Sequence, residues 1–470
     1  MDTAIWWIRR DLRLNDNQAL TNAVKNAGHV IPLFIIDPQI INSPNMSAMR
    51  LSFLWQGLEK LDGGLRALGS ELIIRRGLPS EVLTQLVEET DAGVIYAEAD
   101  YSPHAMQRDQ EVAEQLPLEL VGGPSVSHPE AVLKQDGTPY LVYTPYSRAW
   151  KSIYKADLIK LSPAPELITT PQGIISHALP SEKNAIHNHA FESGEEVAQI
   201  RLKEFISGEQ PPISQYADLR NRMDLDGTAR LSPYLRFGMI SARECVSAAY
   251  QALKEAPDDP ARKSAETWLN ELIWREFYIT ILYNYPEVLK QSFREDLRDI
   301  SWRNDEQEFD AWCEGQTGYP VVDAAMRQLK YLGWMHNRAR MIVASFLVKD
   351  LLVDWRWGER WFMQHLVDGD PAANNGGWQW TAGTGMDAAP YFRIFNPILQ
   401  GKKHDPNGDF VRRWVPELAD VPTKYVHTPW MMPPELQGQI NCIIGRDYPQ
   451  PIVDHGFARQ RALAAYKQTN

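Results

Sequence analysis

The order of its apolar runs predicts that this chain is α/β in its first part, around a parallel sheet, and mainly α-helical in its second. Three observations carry the prediction. Short Ile- and Val-rich runs at residues 4–8, 30–36, 72–74, 94–97 and 118–121 alternate with helically spaced segments such as 46–68 and 80–89, the pattern of buried parallel strands joined by helices. Seven prolines between Pro129 and Pro180 then break all periodicity, which reads as a long surface connection. From Glu195 onward, residues 267–283, 321–332, 337–349 and 359–366 carry apolar side chains at spacings of three and four, as amphipathic helices do. The expected division is 1–125, a linker over 126–194, and 195–470.

The first run leads into Arg9-Arg10-Asp11-Leu-Arg13-Leu-Asn15-Asp16-Asn17 without a glycine. A Rossmann-like sheet is therefore expected without the dinucleotide fingerprint, whose glycines allow close pyrophosphate approach. By itself the Arg/Asp run reads as a solvated, salt-bridged turn.

With 470 residues, 44% apolar and 23% charged, the composition is that of a globular protein of two or three domains. The net charge of −12 requires any nucleic-acid partner to be held by a local basic surface. Cys245, Cys313 and Cys442 are too few and scattered for a disulfide framework or a metal cluster, so no metal is expected. No apolar run approaches the ~18 residues of a spanning helix, and residues 4–8 stop at Arg9-Arg10. A cytoplasmic chain is expected.

Residues 368–380, Asp-Gly-Asp-Pro-Ala-Ala-Asn-Asn-Gly-Gly-Trp-Gln-Trp, combine two carboxylates, two amides, adjacent glycines and two indoles. That mixture suits neither a helix face nor a strand and reads as the lining of a ligand site. Amides and carboxylates can fix a polar ligand, Gly376 and Gly377 allow close backbone approach, and Trp378 and Trp380 offer flat, oxidisable rings. A large, flat, redox-active cofactor fits these features. Packing into a core is the ordinary explanation for any one of the 16 tryptophans.

The runs Trp268-Leu-Asn-Glu-Leu-Ile-Trp274-Arg-Glu-Phe-Tyr278, Gly318-Tyr-Pro-Val-Val-Asp-Ala-Ala-Met-Arg327, Trp334-Met-His-Asn-Arg-Ala-Arg-Met341 and Asn374-Asn-Gly-Gly-Trp-Gln-Trp380 occur in that order. Together they resemble the photolyase/cryptochrome flavoproteins, most closely the bacterial class I cyclobutane pyrimidine dimer photolyases. The likeness runs from the Arg9 turn to Val453. It implies FAD, bound in a folded form by Tyr216, by Thr228, Ala229, Arg230, Leu231 and Ser232, and by Trp268, Arg340, Asp368, Gly369, Asp370 and Asn374. Family members often have Ser where this chain has Ala229, which leaves one phosphate contact to the backbone. Arg340 would pair with Asp368, and the neutral amide of Asn374 would face the flavin N5 without repelling a reduced, anionic ring.

The resemblance further implies light-driven electron transfer to a dimer flipped out of double-stranded DNA. Glu271 would hydrogen-bond the dimer's carbonyl edge, Trp274 and Trp380 would flank it, and Asn337 and Met341 would complete the pocket. Arg220, Arg275, Tyr278, Arg338, Arg393, Gln400, Lys402 and Lys403 would meet DNA, mostly at phosphates. Residues 386–414 hold five Lys/Arg against three Asp/Glu, a locally basic stretch in an acidic chain. Trp302, Trp355 and Trp378 match the tryptophan relay that reduces oxidised flavin. Relatives specific for (6-4) photoproducts carry two histidines where this chain has Asn337 and Met341, which can act as neither acid nor base.

The non-enzymatic alternative is a cryptochrome-type photoreceptor. Asn374, Glu271 and Met341, and a chain extending only seventeen residues beyond Val453, favour repair; a monomer is expected. An antenna pigment is also implied, either a deazaflavin or methenyltetrahydrofolate. Phe34, Arg50 and Asp100 match deazaflavin-lining positions, and Pro103-His104 replace the Asn-Glu pair of folate binders. Lys290 and the C-terminal half look more like the folate type.

Overall fold

In the computed structural model, which describes residues 2–180 and 190–467, the five apolar runs become β1 (Thr3–Ile8), β2 (His29–Ile36), β3 (Ile73–Arg76), β4 (Val94–Ala97) and β5 (Leu118–Leu120). They form one parallel sheet in the order β3-β2-β1-β4-β5. Central β1 pairs Ile5 with both Ile31 and Ile95 and is buried at every residue, because crossover helices cover both faces of such a sheet. The helices Ala48–Ala67 and Pro79–Thr90 stand where the spacing places them.

The chain forms two compact units. The first comprises Met1–Ala217, Thr228–Pro286 and Val367–Ala372; the second comprises Asp218–Gly227, Glu287–Leu366 and Ala373–Asn470. In the first unit the sheet packs Ile5, Ile31, Ile73, Leu83 and Ile95 into one core. Its longest helix, Asp259–Asn284, is capped by the Asp258 side chain, with Pro260 in its first turn. The second unit is helical, its core built on Trp312, Val322, Ile342, Leu347, Trp355 and Trp378. Among the described residues no helix is long and apolar enough to cross a membrane, and no group of three or more His, Cys, Asp or Glu is placed to hold a metal ion. All three cysteines are buried and free.

The structure corrects three local expectations. Residues 371–382 are a helix, Pro371–Ala382, not an irregular lining segment. Asp370 accepts from the Ala372 N–H at 3.0 Å and Pro371 presets the first turn. This start signal outweighs glycines that cost about 1 kcal/mol each within a helix. The stretch after residue 126 is not merely draped over the surface: it contains the helix Tyr143–Ile153, whose Tyr146 and Trp150, four apart, are fully buried. Glu276 ties it down in the first unit, accepting from Val126 N (2.6 Å), Ser127 Oγ (2.9 Å) and Trp150 Nε1 (2.7 Å). Nor is the Arg9–Asn17 turn solvated. Asp11, Arg13, Asp16 and Asn17 are all at most 3% exposed, because the Arg13 guanidinium pairs with Glu98 and the Asn17 amide returns to Asp11.

Candidate functional site

In the first unit, the Asp259–Asn284 helix carries Trp268, Glu271, Arg275 and Tyr278 at spacings of three and four, so they form one stripe, with Trp274 beside it. Trp268 and Tyr216 are buried and both pack on Phe205, with ring centroids at 5.2 and 5.9 Å. Trp274 is half-buried, with one face stacked on Tyr143 at 3.7 Å and 5° and its edge near Tyr278 at 5.5 Å. Tyr143 in turn donates to the Asn270 carbonyl at 2.8 Å. Tyr143 was missed from sequence because it lies in the expected linker; the signal was the buried spacing of Tyr146 and Trp150 behind it. Arg275 donates to the Pro124 and Leu235 carbonyls at 2.5 and 3.3 Å, and burial lowers its pKa. In the absence of DNA it braces these two segments from the helix.

The loop before the Ser232–Phe237 helix, from Thr228 to Leu231, holds Arg230 at φ +49°. A non-glycine residue rarely adopts this conformation, and such strain concentrates at ligand sites. Thr228 and Ser232 supply hydroxyls, and Ala229 offers only its backbone. This donor set suits a pyrophosphate.

Asp368, Gly369 and Asp370 are wrapped by arginines of the same unit. Arg10 reaches Asp370 at 2.7 Å and Asp100 at 3.4 Å, Arg236 donates to the Gly369 carbonyl at 2.7 Å, and Arg50 donates to that carbonyl at 3.3 Å. Burial lowers Arg50 to about 10 against the pull of Asp368 and Asp370, and lowers Arg236 to about 9 with help from neighbouring Arg10. Burial opposes ionisation of Asp100, but Arg10 and the Ser102 N–H hold its carboxyl well below the usual range. Phe34, the remaining antenna candidate, is 7% exposed on β2. Arg10 was read from sequence only as part of a salt-bridged turn, without its partners, and Arg236, in a Leu-Arg-Phe context, was not singled out.

In the second unit, Asn337 and Met341 lie one turn apart on the Asn337–Ser345 helix, exposed and half-exposed respectively. Beside them Arg338 is held on the Asn221 side-chain oxygen at 2.7 and 3.1 Å. Burial lowers the Arg338 pKa, and Arg220 and Arg393 lower it further by repulsion. His404 is lowered to about 4 by burial and then by Arg338, Lys403 and Arg222. Three expected phosphate contacts are thus brought together, with Lys402 and Lys403 exposed on the Pro397–His404 helix. Gln400 is half-buried, and its Oε1 has no hydrogen-bond partner among the described residues. Arg340 donates to the Met335 carbonyl at 2.9 Å. It belongs to the second unit and Asp368 to the first.

Asn374 is 9% exposed on the Pro371–Ala382 helix and donates to the Glu359 carbonyl (2.9 Å) and carboxyl (3.3 Å). That commits its NH2 end and leaves its oxygen able to accept, the polarity needed opposite the N–H of a reduced flavin. Burial raises Glu359 to about 7 despite the Asn374 hydrogen bond. Trp378, four residues on, is 2% exposed and its Nε1 has no hydrogen-bond partner among the described residues. Trp355 is 1% exposed, Trp302 is half-buried at the edge of the same core, and Trp380 is half-buried. Gly358, three residues after Trp355, has no side chain because a Cβ there would lie 2.1 Å from the Trp378 ring.

The strained loop with donors suited to a pyrophosphate and the buried amide with its oxygen left to accept suit a flavin nucleotide. Residues 4–167 match the family model described as DNA photolyase, and residues 268–468 that of the FAD binding domain of DNA photolyase. The chain is 40% identical to the deoxyribodipyrimidine photo-lyase of Vibrio cholerae, over 98% of each chain, and 39% identical to that of Escherichia coli, over 99% of each. The crystal structure of a class III photolyase from Agrobacterium tumefaciens superimposes with a TM-score of 0.92 at 38% identity, covering 100% of this chain and 98% of that one. A Synechocystis cryptochrome superimposes at 0.90 with 29% identity, covering 99% of each. The chain belongs to the photolyase/cryptochrome family.

Proposed function

We propose that this chain is a light-dependent DNA-repair enzyme, a deoxyribodipyrimidine photo-lyase that opens cyclobutane pyrimidine dimers in double-stranded DNA. The observation that carries the reading is the full-length identity of about 40% to photo-lyases. When bound, reduced FAD supplies the light-excited electron donor.

The chain's own residues do the rest. The loop from Thr228 to Ser232, with Tyr216, Trp268, Asp368, Gly369 and Asp370, would hold the cofactor, and Arg340 and Asn374 would border its ring. Glu271 would hold the dimer's carbonyl edge with a hydrogen bond that strengthens as negative charge develops there. Trp274, backed by Tyr143, and Trp380 would present apolar walls, and Asn337 and Met341 would fill the pocket without offering a proton. The cations at Arg220, Arg338, Arg393, Lys402 and Lys403, with Tyr278 and Gln400, would grip the strand beside the flipped lesion. Trp302, Trp355 and Trp378 would carry electrons inward to oxidised cofactor. In functional terms residues 1–125 are the antenna domain, 126–194 the connection and 195–470 the FAD-binding and catalytic part. The antenna would be a deazaflavin or methenyltetrahydrofolate, with Phe34, Arg50 and Asp100 at its site. We assign a cytoplasmic monomer.

The test is repair of thymine dimers by reduced protein in blue light and in darkness, for the native chain and for Glu271→Ala. Light-only repair is expected, with Glu271→Ala retaining FAD and lesion binding but splitting at a lower quantum yield. Repair of (6-4) lesions alone would overturn the reading. A photoreceptor is favoured only by the cryptochrome superposition, which has lower identity than the photolyase one.

A further inference from the structure

The ten residues Asp218–Gly227 belong to the second unit and join the elements that carry its cations. Met223, 4% exposed, sits in the core of that unit. Its N–H donates at 3.0 Å to the carbonyl of His404, the last residue of the helix that bears Lys402 and Lys403. Arg220 stands in the same segment, and Asn221 after it takes hold of Arg338. One Asn221 side-chain oxygen accepts from Arg338 Nη2 at 2.7 Å and from Nε at 3.1 Å, which leaves Nη1 of the guanidinium to donate elsewhere.

The segment holds its own Arg222 differently. That guanidinium forks onto the Asp224 carboxylate at 2.8 and 2.5 Å, a bidentate ion pair that offsets its charge. Arg338 meets an amide instead. An amide oxygen accepts the same N–H groups but brings no negative charge. The charged groups that act on Arg338 among the described residues are Arg220 and Arg393, both positive.

We propose that Asn221 is a positioning residue that aims the Arg338 guanidinium at a DNA phosphate while leaving its positive charge uncompensated. This deepens the repair function proposed above and rests on it. A carboxylate in the same place would hold Arg338 more strongly and neutralise it, removing the counterion release of one phosphate contact. A side chain without an acceptor would keep the charge and lose the aim. The two losses differ in kind, because only the first changes how binding depends on salt.

The test is fluorescence anisotropy of a labelled duplex carrying one thymine dimer, titrated with the full-length, flavin-loaded protein between about 50 and 200 mM salt. Asn221→Asp should bind about tenfold more weakly at the lower salt, with the slope of log K against log salt smaller by about 0.9. Asn221→Ala should weaken binding by less and keep the native slope. A merely structural asparagine predicts the opposite order, since Asp preserves the contacts to Arg338 and Ala removes them. In the Arg338→Ala background, Asn221→Asp should weaken binding little further, which separates neutralisation of Arg338 from general repulsion of DNA by an added negative charge. If Asn221→Ala fails to fold, Asn221→Asp in the two backgrounds decides the matter alone. Asn221→Asp binding as well as Asn221→Ala or better, an unaltered slope, or an equal loss in both backgrounds would overturn the inference and leave the repair reading standing. Failure of the native chain to prefer the lesion duplex over an undamaged one would bring down both.

Discussion

The two compact units hold their clusters of arginines differently. In the first, Arg10 repels Arg236, yet carboxylates and a carbonyl stand within reach: Arg10 spans Asp100 and Asp370, Arg13 meets Glu98, and Arg236 and Arg50 close on the Gly369 carbonyl. In the second, Arg338 is lowered by burial and by repulsion from Arg220 and Arg393. Paired charge fixes geometry before any ligand arrives, whereas clustered like charge stores repulsion that an arriving polyanion relieves.

The sharpest way to break this contrast is Asp370→Ala. It leaves Arg10, only partly exposed, without its nearer carboxylate, and uncompensated buried charges of this kind cost about 3–5 kcal/mol. Urea denaturation should show a loss of that order, along with poorer FAD retention. Unchanged stability would mean that Asp100 suffices. Trp378→Phe should leave stability nearly intact, because packing is kept, yet nearly abolish photoreduction of oxidised flavin while chemically reduced protein still repairs. Equal loss of both activities would make the indole a structural support instead.

Arg393→Ala should do the reverse of Asp370→Ala. Removing one of the two cations that repel Arg338 leaves stability the same or slightly higher, while binding to damaged DNA weakens. The slope of log K against log salt should fall by about 0.9, with little dependence on flanking sequence. An unaltered slope and affinity would place Arg393 on an ordinary solvated face. The smallest effect concerns Glu359, whose folded pKa is raised by burial from 4.5 to about 7. Between those values the unfolded chain has released a proton that the folded one keeps. Its stabilising contribution is therefore complete below pH 4.5 and lost as pH rises to about 7. Urea midpoints compared at pH 5 and 8 should differ less in Glu359→Gln than in the native chain.

Strands were legible to within a residue or two because each Ile/Val run ends where polar residues begin, and a strand buried on both faces needs little else. The Asp259–Asn284 helix was legible only from residue 267 onward, where the apolar spacing begins. What failed was tertiary in origin. Nothing in Arg9–Asn17 alone announces that Glu98 lies ready to take Arg13, so the turn reads as solvated. The glycines of residues 376 and 377 argue for a loop until the Asp370-Pro371 start is given its weight. Tyr143 acquires meaning only once Trp274 lies flat against it. Many site residues came from long ordered motifs, whereas the partners of Arg10 and the part played by Arg236 emerged only from the folded chain.

Gly358 extends this lesson to comparisons among related chains. Because a single added methyl would lie 2.1 Å from the Trp378 ring, the indole would have to shift or the backbone to move. If Trp302, Trp355 and Trp378 form the proposed relay, electron supply would then fail in a relative that keeps all three tryptophans but carries a side chain at this glycine.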